Sequence, residues 1–384
     1  MSAESQTDAP RGPLHGVRIL EVGGIGPNPF AGMLLADMGA DVLRLDRLGD
    51  TGLAFPPEFD PTKRGRAAVA VNLRSDEGKA MVLDLIGEAD ALIEGYRPGV
   101  MERLGLGPDV ALERNPRLVF GRMTGWGQDG PMAPVAGHDI NYISVAGALG
   151  AMRRTGEAPL APMNLVGDYG GGAMFLAFGV LCGIIEARTS GQGQVVDAAM
   201  VDGTAVLTSL MLGLSASGAW AADKPGTNLL DSGAHFYETY ATSDGGYIAC
   251  GAIEPQFYAK LIELMGLTHE EVPQFETARW PEFKLRFAEV FATKTRQEWA
   301  DILEHEETCA TAVLTLAEAA SHPHMAARGS FVELDGVVQA QAAPRFSRTP
   351  GAARSRITES GAVLSAWGVD DDAQARLRDA GAIG

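Results

Sequence analysis

Val17-Arg-Ile-Leu-Glu-Val22, the loop Gly23-Gly-Ile-Gly-Pro-Asn-Pro29, the apolar run from Phe30 to Met38 stopped by Gly39, and then Asp41-Val-Leu-Arg-Leu-Asp46 decide the fold of this chain. The two outer runs are short, apolar and bounded by glycine, which predicts strands; the middle run has helical length and ends at a glycine. Strand, helix and strand within thirty residues make a βαβ unit, whose strands lie parallel because the helix carries the chain back to the same edge. The pattern repeats: Ala68 to Leu73 reads as a strand, Ser75 to Gly87 as a helix capped by the serine, Ala91 to Glu94 as the next strand and Leu118 to Met123 as a further one. The expected fold class is therefore α/β, with a doubly wound, Rossmann-like parallel sheet.

The pattern then changes. Asp168 to Arg188 reads as a helix, Val195 to Asp197 as a short strand and the run from Met200 as a long apolar helix. A looser glycine- and alanine-rich segment, Ser215 to Gly226, connects to a smaller α+β unit that opens with paired strands at Tyr237 to Thr242 and Gly246 to Cys250. Farther on, Gly329 to Leu334 and Val337 to Ala340 flank Asp335-Gly336, a hairpin signal. The expected division is a disordered tail over 1–13, a large domain over 14–220, a small domain over 221–325 and a C-terminal segment over 326–384.

With 384 residues, of which 46% are hydrophobic, the chain can bury one large core or two smaller ones. Its net charge of −18 argues against nucleic acid or an anionic membrane surface as partner, since both reward a basic face. The start of the chain is polar and acidic, unlike a signal peptide, and Ala173 to Ile185 falls short of the roughly 20 residues a spanning helix needs. A buried helix is expected there. Cys182, Cys250 and Cys309 form no close pair, so neither a disulfide framework nor a cysteine metal site is expected, and a reducing cytoplasm fits. The histidines lack metal-ligand spacing, and no metal is expected.

Two stretches carry chemistry. Gly137-His-Asp-Ile-Asn-Tyr142 and Gly167-Asp-Tyr-Gly-Gly-Gly172 each set an acid/base group among glycines before an apolar run, an arrangement suited to taking a proton from one face of a carbon and returning it to the other. Asp168 reads equally as the N-cap of the helix that follows, with the three glycines leaving room for a substrate. The loop Gly23 to Pro29 invites a dinucleotide reading with Asp46 as ribose partner, but Pro29 stands where the third glycine belongs and Arg47 beside the acid suits a phosphate. A tight turn with proline opening the helix explains the same residues. Arg47, Arg74, Arg97 and Arg103 fall at or just after strand ends, where open α/β sheets bind ligands.

Ala136-Gly-His-Asp-Ile-Asn-Tyr-Ile-Ser, Asn164-Leu-Val-Gly-Asp-Tyr-Gly-Gly-Gly, Gly191-Gln-Gly-Gln-Val-Val-Asp-Ala-Ala-Met-Val-Asp-Gly203 and Gly251-Ala-Ile-Glu-Pro-Gln-Phe-Tyr258 resemble the corresponding segments of α-methylacyl-CoA racemases, CaiB/BaiF-like members of the family III CoA-transferase superfamily. The resemblance spans most of residues 14 to 348. It implies interconversion of 2R and 2S 2-methylacyl-CoA thioesters through an enolate, without a redox or metal cofactor, by an interlocked homodimer. It assigns the two bases to His138 and Asp168, the carboxylate that orients the histidine to Glu254, and a helix-capping and oxyanion role to Asp139. Coenzyme A would lie against Ile25, Arg47, Val71, Asn72, Leu73, Arg74, Gly95, Tyr96, Arg97 and Arg103, with Gly137 and Tyr142 beside the reacting end. The superfamily leaves an alternative, CoA transfer with Asp139 as the nucleophile. Methionines such as Met132, Met152 and Met163 would accept varied acyl tails or simply fill the core. Asn28, His235 and Ala312 depart from the racemase pattern, where glycine, proline and proline are usual.

Overall fold

Residues 11–49, 56 and 59–384 are described by the computed structural model. They form two compact units, the first made of the chain up to Ala146 with Pro162–Leu207 and Pro323–Gly384, the second of Gly147–Ala161 with Thr208–His322.

The first unit is built on β1 (Arg18–Val22), α1 (Pro27–Asp37), β2 (Asp41–Arg47), β3 (Ala67–Val71), α2 (Asp76–Gly87), β4 (Ala91–Glu94), the short α3 (Val100–Arg103) and α4 (Pro108–Arg114), β5 (Val119–Thr124), α5 (Asp139–Val145) and β6 (Gln194–Ala199). Its six strands run in the order β3-β2-β1-β4-β5-β6, and all pairs are parallel. This is the doubly wound order, with β1 and β4 adjacent at the point where the winding reverses. Strand interiors such as Ile19, Leu20, Leu43, Leu92 and Phe120 are fully buried, as a sheet covered on both faces requires. Ser75 caps α2 by accepting the Gly78 N–H at 3.1 Å. Pro27, rather than Phe30, opens α1, and Gly26 before it takes φ 68°.

The helix expected from Asp168 begins earlier. Residues Leu165–Ala173 wind as a π-helix and Met174–Ser190 continue as an α-helix. Together they form 26 residues, long and apolar enough by length and composition to cross a membrane, but half of the apolar window is buried within the fold. The buried face, Leu176, Ala177, Val180, Gly183, Ile184 and Ala187, follows helical spacing. A side chain on Gly121 of β5 would stand 2.9 Å from Leu176 and from Val180, and one on Gly183 would stand 2.8 Å from Val119. Glycine at these two positions is what lets the helix lie against the sheet. The apolar run from Met200 is not one long helix: it breaks at Thr208 into Met200–Leu207 and Ser209–Ala216, on either side of the boundary between the units.

The second unit carries a three-stranded antiparallel sheet of β7 (Tyr237–Ala241), β8 (Tyr247–Gly251) and β9 (Ala310–Ala312), with helices Pro255–Leu264, Trp280–Phe291 and Arg296–Leu303. Its core is aromatic: Phe236, Tyr240, Tyr258, Phe283, Phe287, Phe291 and Trp299 are all buried. His235 sits at its centre, with its ring 5.0 to 5.4 Å from those of Phe236, Tyr258, Phe283 and Phe287.

The unit begins at Thr208 rather than 221, and it takes in Gly147–Ala161, which the expected division assigned to the large domain. Arg154 explains the second difference, since its guanidinium binds Glu238 of β7 at 2.7 and 3.2 Å, and Thr155 donates to the Gly226 carbonyl at 3.0 Å. Contacts across seventy or more residues leave no mark on local sequence pattern.

From Pro323 the chain belongs to the first unit again. Strands β10 (Phe331–Leu334) and β11 (Val337–Ala340) form the hairpin, with Asp335 and Gly336 both at positive φ. Farther on, Leu364, Trp367 and Ile383 enter the same core as Leu43 and Val69. The tail expected over 1–13 lies outside the described residues up to 10; Gly12 is already buried against Met38 and Gly39.

Candidate functional site

Every candidate of the first unit lies at the carboxyl edge of the sheet, where successive βα loops leave their strands. The loop after β1 begins with Gly23, where a side chain would run into the hydroxyl end of Tyr96, and ends at Gly26, whose absent side chain would stand 3.0 Å from Asp168 Oδ2. Ile25 between them is 59% exposed. Asn28, one of the departures, is buried and closes this turn by donating from Nδ2 to the Gly23 carbonyl at 2.9 Å.

Arg47 ends β2 opposite Val71 of β3, and both Arg47 and Arg74 are exposed. The Val71 and Leu73 side chains are buried in the core, while Asn72 between them is half-buried. Asn72 organises the turn: its Oδ1 accepts the Arg74 N–H at 3.2 Å and its carbonyl accepts the Ser75 N–H. After β4 come Gly95, Tyr96 and Arg97, then Arg103 at the end of α3, with both arginines exposed.

The loop after β5 leads to His138, the N-cap of α5, whose N–H is held by Asn141 Oδ1 at 3.0 Å. His138 is exposed. Tyr142 is buried, donates to the Gly137 carbonyl and packs edge-on against Trp126 at 4.8 Å, which fixes the loop just before the histidine. Burial raises the Tyr142 phenol above its ordinary range, helped by the charge of Asp168 and opposed by that of Arg97, so the β4 and β5 loops meet electrostatically.

Asp139 is not the helix cap. It is the first residue inside α5, 6% exposed, and its Oδ2 accepts the backbone N–H of Asp168 at 2.7 Å while Oδ1 is buried with no partner among the described residues. The bond to the Asp168 peptide commits one carboxylate oxygen of Asp139 and leaves the other, Oδ1, unengaged among the described residues.

Asp168 is not an N-cap either. It lies within the π-helix, where Asn164, not Asp168, precedes the first turn and donates from Nδ2 to Asp168 Oδ2 at 3.2 Å. The wide π turn is marked by the Tyr169 N–H reaching the Asn164 carbonyl, five residues back. Burial raises the Asp168 carboxyl above the usual aspartate range; the Asn164 bond opposes the rise, the charge of Asp139 adds to it and His138 opposes it. His138, Asp139 and Asp168 thus share one neighbourhood.

The glycines after Asp168 serve packing rather than substrate access. A side chain on Gly171 would stand 2.7 Å from the Thr204 backbone nitrogen, and one on Gly172 would stand 2.8 Å from Met200. Glu254 belongs to the second unit, where it is the exposed residue at the start of helix Pro255–Leu264. Asn164 stands four residues before Asp168, a spacing that pairs an amide with an acid on one helix face and so signals this bond in the sequence. At the opposite, amino-terminal edge of the sheet a depression of about 350 Å³ is lined by Arg18, Asp90, Arg117 and Arg188, away from all of these groups.

The profile of CoA-transferase family III matches residues 14–358. The chain is 45% identical over 340 residues to the α-methylacyl-CoA racemase of Mus musculus, covering 88% of this chain and 87% of that one, and 42% identical over 341 residues to the racemase of Homo sapiens at the same coverage. Among solved structures, Rv3272 of Mycobacterium tuberculosis superposes with a TM-score of 0.75 at 27% identity, covering 90% of this chain and 96% of that one. A CAIB/BAIF family protein of Brucella suis superposes at 0.79 and 23% identity, covering 93% and 100%, and shares the fold. A profile match along nearly the whole described chain, relatives aligned over most of its length and a doubly wound sheet with its motifs at the carboxyl edge agree, and the chain belongs to CoA-transferase family III.

Proposed function

We propose that this protein is an isomerase that interconverts the 2R and 2S epimers of 2-methyl-branched acyl-CoA thioesters. The observation that carries the reading is the pairing of an exposed His138 with a half-buried Asp168 of raised proton affinity, linked through Asp139. The racemase names of the mouse and human relatives agree with it.

One base takes the α-proton, which the thioester makes acidic, and the electron pair moves into the carbonyl to give an enolate. Backbone N–H groups at the start of α5, beginning with that of Asp139, stabilise the oxyanion. The other group, protonated at that moment, delivers its proton to the opposite face. Protons and charge balance within the His138–Asp168 pair, so the reaction asks for no redox or metal cofactor. Coenzyme A is assigned to the arginines at the carboxyl edge, its adenosine against Gly95, Tyr96 and the 71–73 backbone.

A homodimer belongs to the same reading. Helix Ser209–Ala216, Ser-Leu-Met-Leu-Gly-Leu-Ser-Ala, buries none of its residues, and Phe178 and Ile185 of the preceding long helix are 67% and 68% exposed. Apolar helix faces of this kind are normally covered, and a second copy is the assigned cover. The cytoplasm is the assigned compartment, in keeping with three free cysteines.

The test is incubation of a single 2-methylacyl-CoA epimer in deuterated water without an acceptor acid. Both epimers carrying α-deuterium are expected. CoA transfer that appears only when an acceptor acid is supplied, with no deuterium uptake, would overturn the proposal.

A further inference from the structure

The loop from Gly95 to Arg103 carries four of the residues assigned above to coenzyme A, Gly95, Tyr96, Arg97 and Arg103, and both of its ends are tied to one buried side chain of the sheet. Arg122 of β5 is 6% exposed. Its Nε donates to Glu94 Oε1 at 3.0 Å, and its two terminal nitrogens donate to the two oxygens of Glu102 at 2.7 and 3.2 Å. Glu94 is fully buried at the end of β4, and its second oxygen accepts the Tyr96 N–H at 2.7 Å. Glu102 is the penultimate residue of α3, next to Arg103, whose guanidinium lies 3.0 Å from where a side chain on Gly99 would stand.

A fork that binds two carboxylates at once fixes distance and angle together, which a lysine in the same place would not do. Burying Arg122 and Glu94 is also a costly way to hold a sheet together, because apolar residues of similar volume serve as well or better. The geometry makes sense where something outside the core must be set in place. Here each bond ends beside a group facing the edge: Glu94 holds the peptide of Tyr96, next to Arg97, and Glu102 adjoins Arg103.

We infer that Arg122, through Glu94 and Glu102, is a positioning residue that sets the 95–103 loop to receive the nucleotide end of coenzyme A. The inference rests on the coenzyme A reading above. It separates two parts of the substrate: the loop holds the nucleotide, while His138 and Asp168 hold the reacting carbon.

The test compares a 2-methylacyl-CoA with the same acyl group on N-acetylcysteamine, which keeps the thioester and lacks the nucleotide. Arg122→Gln should raise KM for the CoA thioester by roughly tenfold, the usual worth of a charge-assisted bond, with kcat little changed. The same variant should handle the truncated thioester like wild type. Glu102→Ala removes a 44% exposed side chain, so it leaves the fold standing if Arg122→Gln does not; it should show the same selective loss, with Glu102→Gln intermediate. Equal losses on both thioesters, or none on either, in a protein whose wild type prefers the CoA thioester would overturn the inference and leave the coenzyme A reading intact. A wild type that treats both thioesters alike would overturn that reading first, and the inference with it.

Discussion

The two units bury different things. The first buries ions: Glu21 with Arg44 and Arg66, Asp37 with Arg64, and Glu94 with Arg122 all lie within the sheet or under its helices. The second buries rings, and its one core histidine is neutral, since burial pushes His235 down to about 3, with Lys284 adding to the effect. Buried ion pairs gain little stability over apolar packing but specify geometry, whereas stacked and edge-on rings supply stability without pointing anywhere in particular. In the first unit the Glu94–Arg122 pair sits at the carboxyl ends of β4 and β5, below the loops that carry the candidate site, whereas Asp37 and Arg64 pair at the opposite edge. Burial pushes the Glu94 carboxyl up to about 7 even against the Tyr96 N–H and Arg122, a measure of how costly that geometry is.

The largest effect should come from breaking the aromatic core. Phe287→Ala removes a fully buried ring in contact with His235, Tyr240 and Tyr258, and is expected to cost about 3–5 kcal/mol by denaturant unfolding. A loss under about 1 kcal/mol would show that the second unit does not depend on ring packing. His138→Ala and Asp168→Ala should do the reverse, leaving stability nearly unchanged and lowering racemisation by roughly 10²-fold or more. Each variant should still exchange the α-proton of one epimer only. Near wild-type racemisation by either folded, CoA-binding variant would end the two-base mechanism.

The first unit was legible in its sequence because alternating elements of the right length leave few arrangements. Val17 to Asp46 already requires a crossover, and each later strand adds to the same sheet. The motif residues were legible as chemistry but not as geometry. Their motifs mark His138 and Asp168 as a pair, yet nothing in local pattern shows that Asp139 reaches the Asp168 N–H, or that Gly171 and Gly172 face Thr204 and Met200. Those are contacts between elements, and so is the Arg154–Glu238 pair that moves residues 147–161 into the second unit. Nor does residue type distinguish His235 from His138; the aromatic neighbours that make the former structural include Phe283 and Phe287, from a helix distant in sequence.

Charge reversal at the carboxyl edge comes next in size. Arg47→Glu and Arg97→Glu should each weaken coenzyme A binding by roughly tenfold or more in calorimetry, without moving the unfolding midpoint, because both side chains are exposed. Unchanged affinity in both would remove these arginines from the site. The acid response of the second unit tests its core by another route. His235 donates from Nε2 toward the Tyr258 oxygen, which itself donates to the Val272 carbonyl, leaving Nδ1 buried without a partner among the described residues. The folded ring resists a proton that the unfolded chain accepts at 6.5. Stability from this source is therefore complete above about pH 6.5 and is lost progressively as pH falls toward about 3. His235→Gln should flatten that part of the stability profile, and an unchanged slope would mean that other groups account for it.

The smallest effect separates the charge of Asp139 from its hydrogen bond. Asp139→Asn keeps an oxygen able to accept the Asp168 N–H but removes the negative charge that helps to raise the Asp168 carboxyl. The active form of a two-base racemase carries one proton on the pair, whichever epimer it binds. The pH dependence of kcat/KM should therefore be bell-shaped and alike for both epimers, with an acid limb that reports the first deprotonation of the pair. Without the Asp139 charge, that limb should move to lower pH while the fold and the plateau rate change little. A limb that stays in place would show that Asp139 acts only through its hydrogen bond. A limb that moves upward would show that the amide fails to hold the Asp168 peptide, so that the geometry of the π-helix, rather than the charge beside it, sets the proton affinity of Asp168.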